Sequence, residues 1–356
     1  MKENKIVITV KEIAKICGVS PSTVSNILNG KPNVGKETRK KVLATIQATG
    51  YHTNYFASSM RKQNSRMISI IVEDLCQFTT PTIVEEIMTY CESVGYRTIL
   101  MNMRLYDRWQ DTWYTDENKL RKVLEPLLLE IESIKVDGNI YVAGHGREIR
   151  CFPKNYEIPT VIAYAKSEKD RFPSVLIDDE NGAYEMGRYF VSKGHSRISV
   201  IAGVEDNMHT QKRLAGYQKA LFEAGIPYNP EWILHGDWKY EKGYSLARQA
   251  VAMNPTLIWC MNDQMAGGVY RYLYEQGIQI GKEISVAGYD NMESCDYMYP
   301  RLTTSALPLR QIGRKSAETV IHMIEQEGWR PETMKTWMPC TMTEGQSVAD
   351  LKKQIV

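Results

Sequence analysis

The chain has 356 residues, more than one ordinary domain holds, and 43 % of them are apolar, so a sizeable core is available. Net charge is only +2 but segregated: residues 1–66 carry 12 Lys and Arg against three Glu, and residues 67–356 carry 32 basic against 39 acidic side chains, a balance that suits a polyanionic partner for the head alone. No apolar run is long enough to span a bilayer, the amino end lacks a signal-peptide core, and seven widely spaced cysteines with no CxxC pair argue against a disulfide framework or a thiolate zinc site and for a cytoplasmic chain.

Thr9-Val10-Lys11-Glu12 reads as a capping box that opens a helix over 10–17, with Ile13, Ala14 and Ile16 among its apolar positions. Gly18 permits a tight turn, Ser20 is a second N-cap, and Pro21 takes the favoured first position of a helix that runs to about Leu28 and stops at Asn29-Gly30. A third helix spans roughly 36–49, its apolar side Val42, Leu43 and Ile46, with Gly50 as its stop. Helix, short turn, helix is the helix-turn-helix arrangement, whose second helix enters the major groove. That helix exposes Ser22, Thr23, Ser25, Asn26 and Asn29, short polar side chains suited to phosphates and base edges, and buries Val19, Val24, Ile27 and Leu28. On capping signals alone, a three-helix bundle with merely solvated faces stays open.

The runs Ile8 to Ala14, Gly18 to Gly30, Thr38 to Val42 and Gly50-Tyr51 resemble the DNA-binding head of the LacI/GalR repressor family. The resemblance implies base reading by Pro21, Ser22 and Asn26, and phosphate contact or helix support by Thr9, Ser20, Thr23, Ser25 and Asn29. The family usually has Arg where this chain has Asn26. Arg forks onto guanine and Asn pairs best with adenine, so a changed or relaxed base preference is expected there. Residues 51–66 resemble the family's hinge, a short helix that forms on DNA when two subunits meet. Tyr51, Asn54 and Ala57 fall at its contact positions, and Met60 stands where an apolar wedge, usually Leu, unstacks a base step. Thr53 replaces the family's Pro before the hinge Asn. A floppy basic linker is the alternative. The polar run Gln63 to Arg66 marks the domain boundary.

From Met67 onward, short β-rich runs (Met67 to Val72, Thr98 to Met101, Gly138 to Val142, Thr160 to Ala163, Val175 to Ile177, Ile198 to Ile201, Leu257 to Cys260, Ile284 to Ala287) alternate with helical stretches at about 81–94, 117–133, 179–193, 211–224, 241–252, 263–276 and 308–326. Such alternation predicts parallel sheets covered by helices, and the length fits a two-lobed α/β body with one ligand cleft beyond the strands' carboxyl ends. The expected layout is a helix-turn-helix domain over 1–50, a hinge over 51–66, a two-lobed effector-binding and dimerisation domain over 67–346, and a tail over 347–356. Within the body, the first lobe is expected at about 67–163 and 291–328 and the second at about 164–290 and 329–346. The tail has too few heptads for a strong coiled coil, so dimers rather than tail-linked tetramers are expected.

The runs Lys193 to Ile198, Arg213 to Tyr217, Cys260 to Ala266 and Ser285 to Asn291, with Pro300 to Thr304, resemble the family's sensor core, itself similar to periplasmic sugar-binding proteins. Likeness is poor over 75–160, where Met103 to Asp116 is an unusual Trp- and Tyr-bearing loop. By position, Arg213, Asn262 and Asp290 match residues that hold ligand hydroxyls or acidic groups, and each has the chemistry for it. Trp238 matches an aromatic that flanks the ligand. Gln77, Phe78 and Tyr164 follow strands, and His209 lies near Arg213. Salt-bridge networks and core packing are the plain alternatives for these residues. No catalytic, metal-ligand or phosphate-loop pattern occurs, so no cofactor and no enzyme activity are expected. The expected function is a homodimeric, sequence-specific transcription regulator, a repressor of double-stranded operator DNA controlled by a small molecule such as a sugar. A solute-binding protein of a transport system is the alternative.

Overall fold

The computed structural model describes residues 8–28, 30–51, 65–110 and 116–353, which fall into two compact units parting between Ser65 and Arg66. The first unit is built on α1 (Val10–Cys17), α2 (Pro21–Leu28) and α3 (Lys36–Thr49). The capping box forms as expected: Thr9 N donates to Glu12 Oε2 at 2.6 Å, and Glu12 N donates to Thr9 Oγ1 at 3.4 Å. Gly18, at φ 68°, turns the chain through a left-handed conformation that a Cβ would strain. Ile13, Ala14, Cys17, Val24, Ile27 and Val42 make the small core, with Tyr51 packed against it. Ile16 and Leu43, among the apolar positions of α1 and α3, are 57 % and 47 % exposed. Three short helices close around one seam, which Ile13 and Cys17, four residues apart, fill from α1.

The second unit carries two parallel sheets. The first lobe holds six strands in the order β13-β7-β5-β3-β1-β2, from β1 (Met67–Val72), β2 (Arg97–Asn102), β3 (Gly138–Val142), β5 (Thr160–Ala163), β7 (Ser174–Asp178) and β13 (Lys335–Pro339). β1 is buried along its whole length, which explains its unbroken apolar run. A satellite pair, β4 (Glu148–Ile149) with β6 (Lys166–Ser167), flanks this sheet. Helices α4 (Thr80–Ser93) and α11 (Leu309–Glu325) pack on each other over it, while α5 (Leu105–Trp109) and α6 (Glu117–Ile134) follow β2. The second lobe orders four strands as β11-β10-β8-β9, from β8 (Ile198–Ala202), β9 (Ile233–His235), β10 (Leu257–Cys260) and β11 (Ser285–Ala287). Two helix pairs cover it: α7 (Asp179–Ser192) with α8 (Met208–Glu223), and α9 (Tyr240–Ala252) with α10 (Asp263–Glu275). An antiparallel pair, β12 (Thr304–Ala306) with β14 (Thr341–Thr343), accompanies the chain between the lobes.

The lobe borders differ from the expected ones. β7 and β13 were assigned by sequence to the second lobe, yet β13 pairs with β7 and β7 with β5 in the first lobe's sheet. The crossover therefore falls at Asp178–Asp179, and the chain returns through 335–339 as an edge strand. The expected tail is also part of the fold down to Lys353: Ser347, Val348 and Ala349 are buried, and Val286 N donates to Ser347 O at 2.9 Å. His195 is buried with Nδ1 2.9 Å from Thr256 Oγ1 and Nε2 3.0 Å from Ala349 O, so it clamps that segment to the second lobe. No helix among the described residues is long and apolar enough to cross a membrane.

Candidate effector cleft and nucleic-acid face

Each expected cleft residue follows the carboxyl end of a strand. Gln77 and Phe78 follow β1, Tyr164 follows β5, and His209 and Arg213 ride on α8 after β8. Trp238, Asn262 and Asp290 follow β9, β10 and β11. Open α/β sheets bind ligands at these ends. All eight line one cavity of about 230 Å³ between the lobes. Cys76, Thr79, Gly144, His145, Asn207 and Gln264 line it too. Cys76, Thr79, Gly144 and His145 lie in the stretch of poorest family likeness, whereas Gln264 falls within the family-like run Cys260 to Ala266. A wider mouth of about 920 Å³ continues outward past Gln77, His145, Asn207, Trp238 and Gln264.

At the floor, Arg213 is buried and donates through Nε to Asp179 Oδ1 at 2.7 Å and through Nη1 to the Met261 carbonyl. Its guanidinium lies 3.8 Å from the Tyr289 ring centroid and Nη1 lies 3.8 Å from Asp290 Oδ1. Asp179, missing from the sequence reading, is the hub, for its Oδ2 also takes His209 Nδ1 at 2.6 Å. Burial works to raise the Asp179 pKa, but Arg213 and His209 beside it prevail and hold it below the ordinary value. Asp290 goes the other way. Burial pushes its pKa well up, Arg213 opposes this, and Asp263 and Asp179 add to the rise.

Asn262 lines the cavity and is also anchored within the protein. Its Oδ1 accepts from Met265 N at 2.9 Å, capping α10, and its Nδ2 donates to Trp238 O at 2.8 Å. Both amide ends are thus engaged, and the side chain holds Trp238 in place. Trp238, Tyr164 and Asp290 all sit at positive φ, at 73°, 69° and 116°. Such backbones cost on the order of 1–3 kcal/mol each and gather at functional sites. Close approach accommodates the indole: a Cβ on Gly203 would lie 1.9 Å from the Trp238 ring.

Asp290→Asn is expected to raise thermal stability. A carboxyl whose folded pKa is raised contributes stability at acid pH that is lost as pH rises toward that pKa. The advantage of the variant over wild type should therefore be smallest near pH 4 and widen as pH rises toward the raised pKa, read as a growing gap in Tm. A gap of constant size between pH 4 and 8 would contradict this assignment.

On the head, Pro21 and Ser22 are exposed and Thr23, Ser25 and Asn26 half-exposed, opposite the buried Val24 and Ile27. Ser20 Oγ is committed to capping, accepting from Thr23 N at 3.1 Å, and Thr9 serves the box of α1, so both support helix starts. Tyr51 is partly buried against the head core. Asn29, Asn54, Ala57 and Met60, with the rest of the expected hinge from 52 to 64, lie outside the described residues.

The sequence profile described as "Periplasmic binding proteins and sugar binding domain of LacI family" matches residues 118–343, more than half the chain, and that described as "Bacterial regulatory proteins, lacI family" matches residues 9–54. The chain belongs to the lacI family of bacterial regulatory proteins. Among its relatives, the HTH-type transcriptional repressor PurR of Vibrio parahaemolyticus is 28 % identical over 324 residues, 90 % of this chain and 92 % of that one. PurR of Vibrio cholerae is 27 % identical over 350 residues, 97 % and 99 % of the two chains. Among solved structures, the lac repressor dimer bound to operator and an anti-inducer superposes with a TM-score of 0.78 at 23 % identity, covering 96 % of this chain and 99 % of that one. The CelR–cellobiose complex superposes at 0.65 and 22 %, with the same coverage. As a lacI-family regulator the chain pairs a helix-turn-helix head with a two-lobed ligand-binding body, and the transport alternative finds no support.

Proposed function

We propose that the protein is a homodimeric repressor in the cytoplasm, rather than an enzyme, whose paired heads grip adjacent half-sites of operator DNA while a small molecule between the lobes tunes that grip. The observation that carries the reading is the convergence of Gln77, Phe78, Tyr164, His209, Arg213, Trp238, Asn262 and Asp290 on one polar, aromatic-walled cavity in a chain with a helix-turn-helix head. A sugar or sugar derivative suits the cavity. Asp290 offers acceptor oxygens to hydroxyls, Arg213 the guanidinium donors that Asp179 and the Met261 carbonyl leave over, and Trp238 a ring for a sugar face. Asn262 contributes by holding the indole.

Two heads must stand side by side to match a pseudo-palindrome. Tyr274 and Tyr299 on the second lobe, 81 % and 96 % exposed, flank a groove of about 910 Å³ and suit burial against a second copy. Lobe movement on binding would change the spacing of the hinges and shift operator affinity by about 1–3 kcal/mol. The test is duplex binding by fluorescence polarisation after a thermal-shift screen of sugars, nucleosides and phosphorylated metabolites. A compound that raises Tm should also move the duplex affinity about 5- to 150-fold. Stabilisation with unchanged duplex affinity would refute the regulatory reading.

At the base-reading face, Asn26 in place of the family's usual Arg is expected to favour adenine or to relax the preference at its position. Asn26→Ala should then cost about 1–3 kcal/mol on the selected site. A site selection that returns a guanine requirement abolished by Asn26→Ala would overturn the assignment.

A further inference from the structure

A hydrogen bond crosses the cleft from the first lobe to the second. His209 lies in the first turn of α8 in the second lobe, and its Nε2 is 3.1 Å from the backbone nitrogen of Gly146 in the first lobe. A backbone amide only donates, so Nε2 is the acceptor and the ring proton sits on Nδ1. There it is donated to Asp179 Oδ2, while Asp179 Oδ1 accepts from Arg213 Nε. The Asp179 carboxylate, an acceptor only, thus selects the one tautomer of His209 that can receive the Gly146 amide.

The Gly146 side is equally well fixed. Glu73, at the end of β1, is fully buried and anchors the loop after β3: its Oε2 accepts from Gly144 N at 2.6 Å and from Arg147 Nη1 at 3.0 Å, and its Oε1 from Tyr141 OH at 2.6 Å. Shape reinforces the contact. A Cβ on Gly146 would lie 2.4 Å from His209 Nε2, so only glycine lets the loop approach the ring this closely. The Tyr164 ring, also from the first lobe, stands 5.1 Å from the imidazole and braces its other side.

We infer that Gly146 and His209 form a latch that biases the two lobes toward this mutual arrangement, with Asp179 setting the imidazole as its acceptor. The inference concerns a contact between the lobes and stands whether or not the cavity takes a sugar.

Hydrogen–deuterium exchange on the full chain, with no small molecule added, tests it. His209→Ala should accelerate exchange of amides 143–147 about three- to tenfold and leave β3 unchanged. Gly146→Ala should do the same by pushing the ring away. The double variant should exchange no faster than either single one, because both remove one contact. His209→Gln, which keeps an acceptor near Nε2, should restore part of the protection. In 15N-histidine spectra the ring signal missing from His209→Ala should show Nδ1 protonated in wild type and lose that preference in Asp179→Asn. Unchanged exchange at 143–147, additive single effects, or a wild-type ring protonated at Nε2 would each overturn the latch.

Discussion

Replacing Arg213 by Met is expected to lower stability by about 3–5 kcal/mol, because a buried ion pair that loses one partner leaves the other charge uncompensated. Asp179 and Arg213 are both buried, and the guanidinium serves Asp179, the Met261 carbonyl and the face of Tyr289 together. At roughly 2–4 °C per kcal/mol for a domain of this size, the midpoint of thermal unfolding should fall by on the order of 10 °C. Arg213→Lys keeps the charge but loses the planar fork, so it should recover only part of the loss. Removing both members of the pair, in Arg213→Met with Asp179→Leu, should recover more, since Asp179 is then not left charged without its guanidinium partner. Wild-type denaturant midpoints for Arg213→Met would show that this cluster holds nothing together.

Duplex binding is expected to weaken by roughly 10³-fold or more when monovalent salt rises from about 50 to about 200 mM. The physical cause is counterion release: each phosphate neutralised by a Lys or Arg frees condensed cations, and the gain shrinks as bulk salt rises. Residues 1–66 hold 12 basic side chains against three acidic ones, so two heads acting together can reach the six to ten phosphate contacts on which that slope rests. The body, with its acidic excess, should contribute no such term. Removal of residues 1–65, the compact first unit, should therefore abolish duplex binding while the thermal transition of the body persists. Salt-independent affinity, or duplex binding by the shortened chain, would contradict a head-borne electrostatic grip.

Much of the fold is written in local chemistry that a reader of the chain can see. The helix starts at Thr9 and Ser20 follow from hydroxyls within reach of free amides, and the turn at Gly18 from the absence of a Cβ. The fully buried strands β1, β3, β8 and β10 announce themselves as apolar runs. By contrast β9, β12, β13 and β14 span only three to five residues each and lie partly at sheet edges, so their composition carries no such run. The lobe borders shifted for that reason: Lys335–Pro339 is half exposed and becomes a strand only because β7 offers it an edge. In the head, Ile16 and Leu43 are apolar but solvent-facing, since short helices have room for only one buried seam.

Cleft residues divide in the same way. Residue type and family-like runs pointed to Arg213, Asn262 and Asp290, but only the folded chain shows Asn262 spent on holding Trp238 and Asp179 serving Arg213 and His209 at once. Asp179 and Gly146 lie 34 and 63 residues from those partners, and no local pattern announces such pairings. The chain by itself therefore determined the order of modules, their helix boundaries and the basic character of the head, because caps, periodicity and charge act over a few neighbouring residues. The tertiary structure alone decided which lobe owns each edge strand, which polar atoms remain available in the cleft, and which contact spans it. Those depend on surfaces brought together from distant parts of the sequence, where packing and burial outweigh local preference.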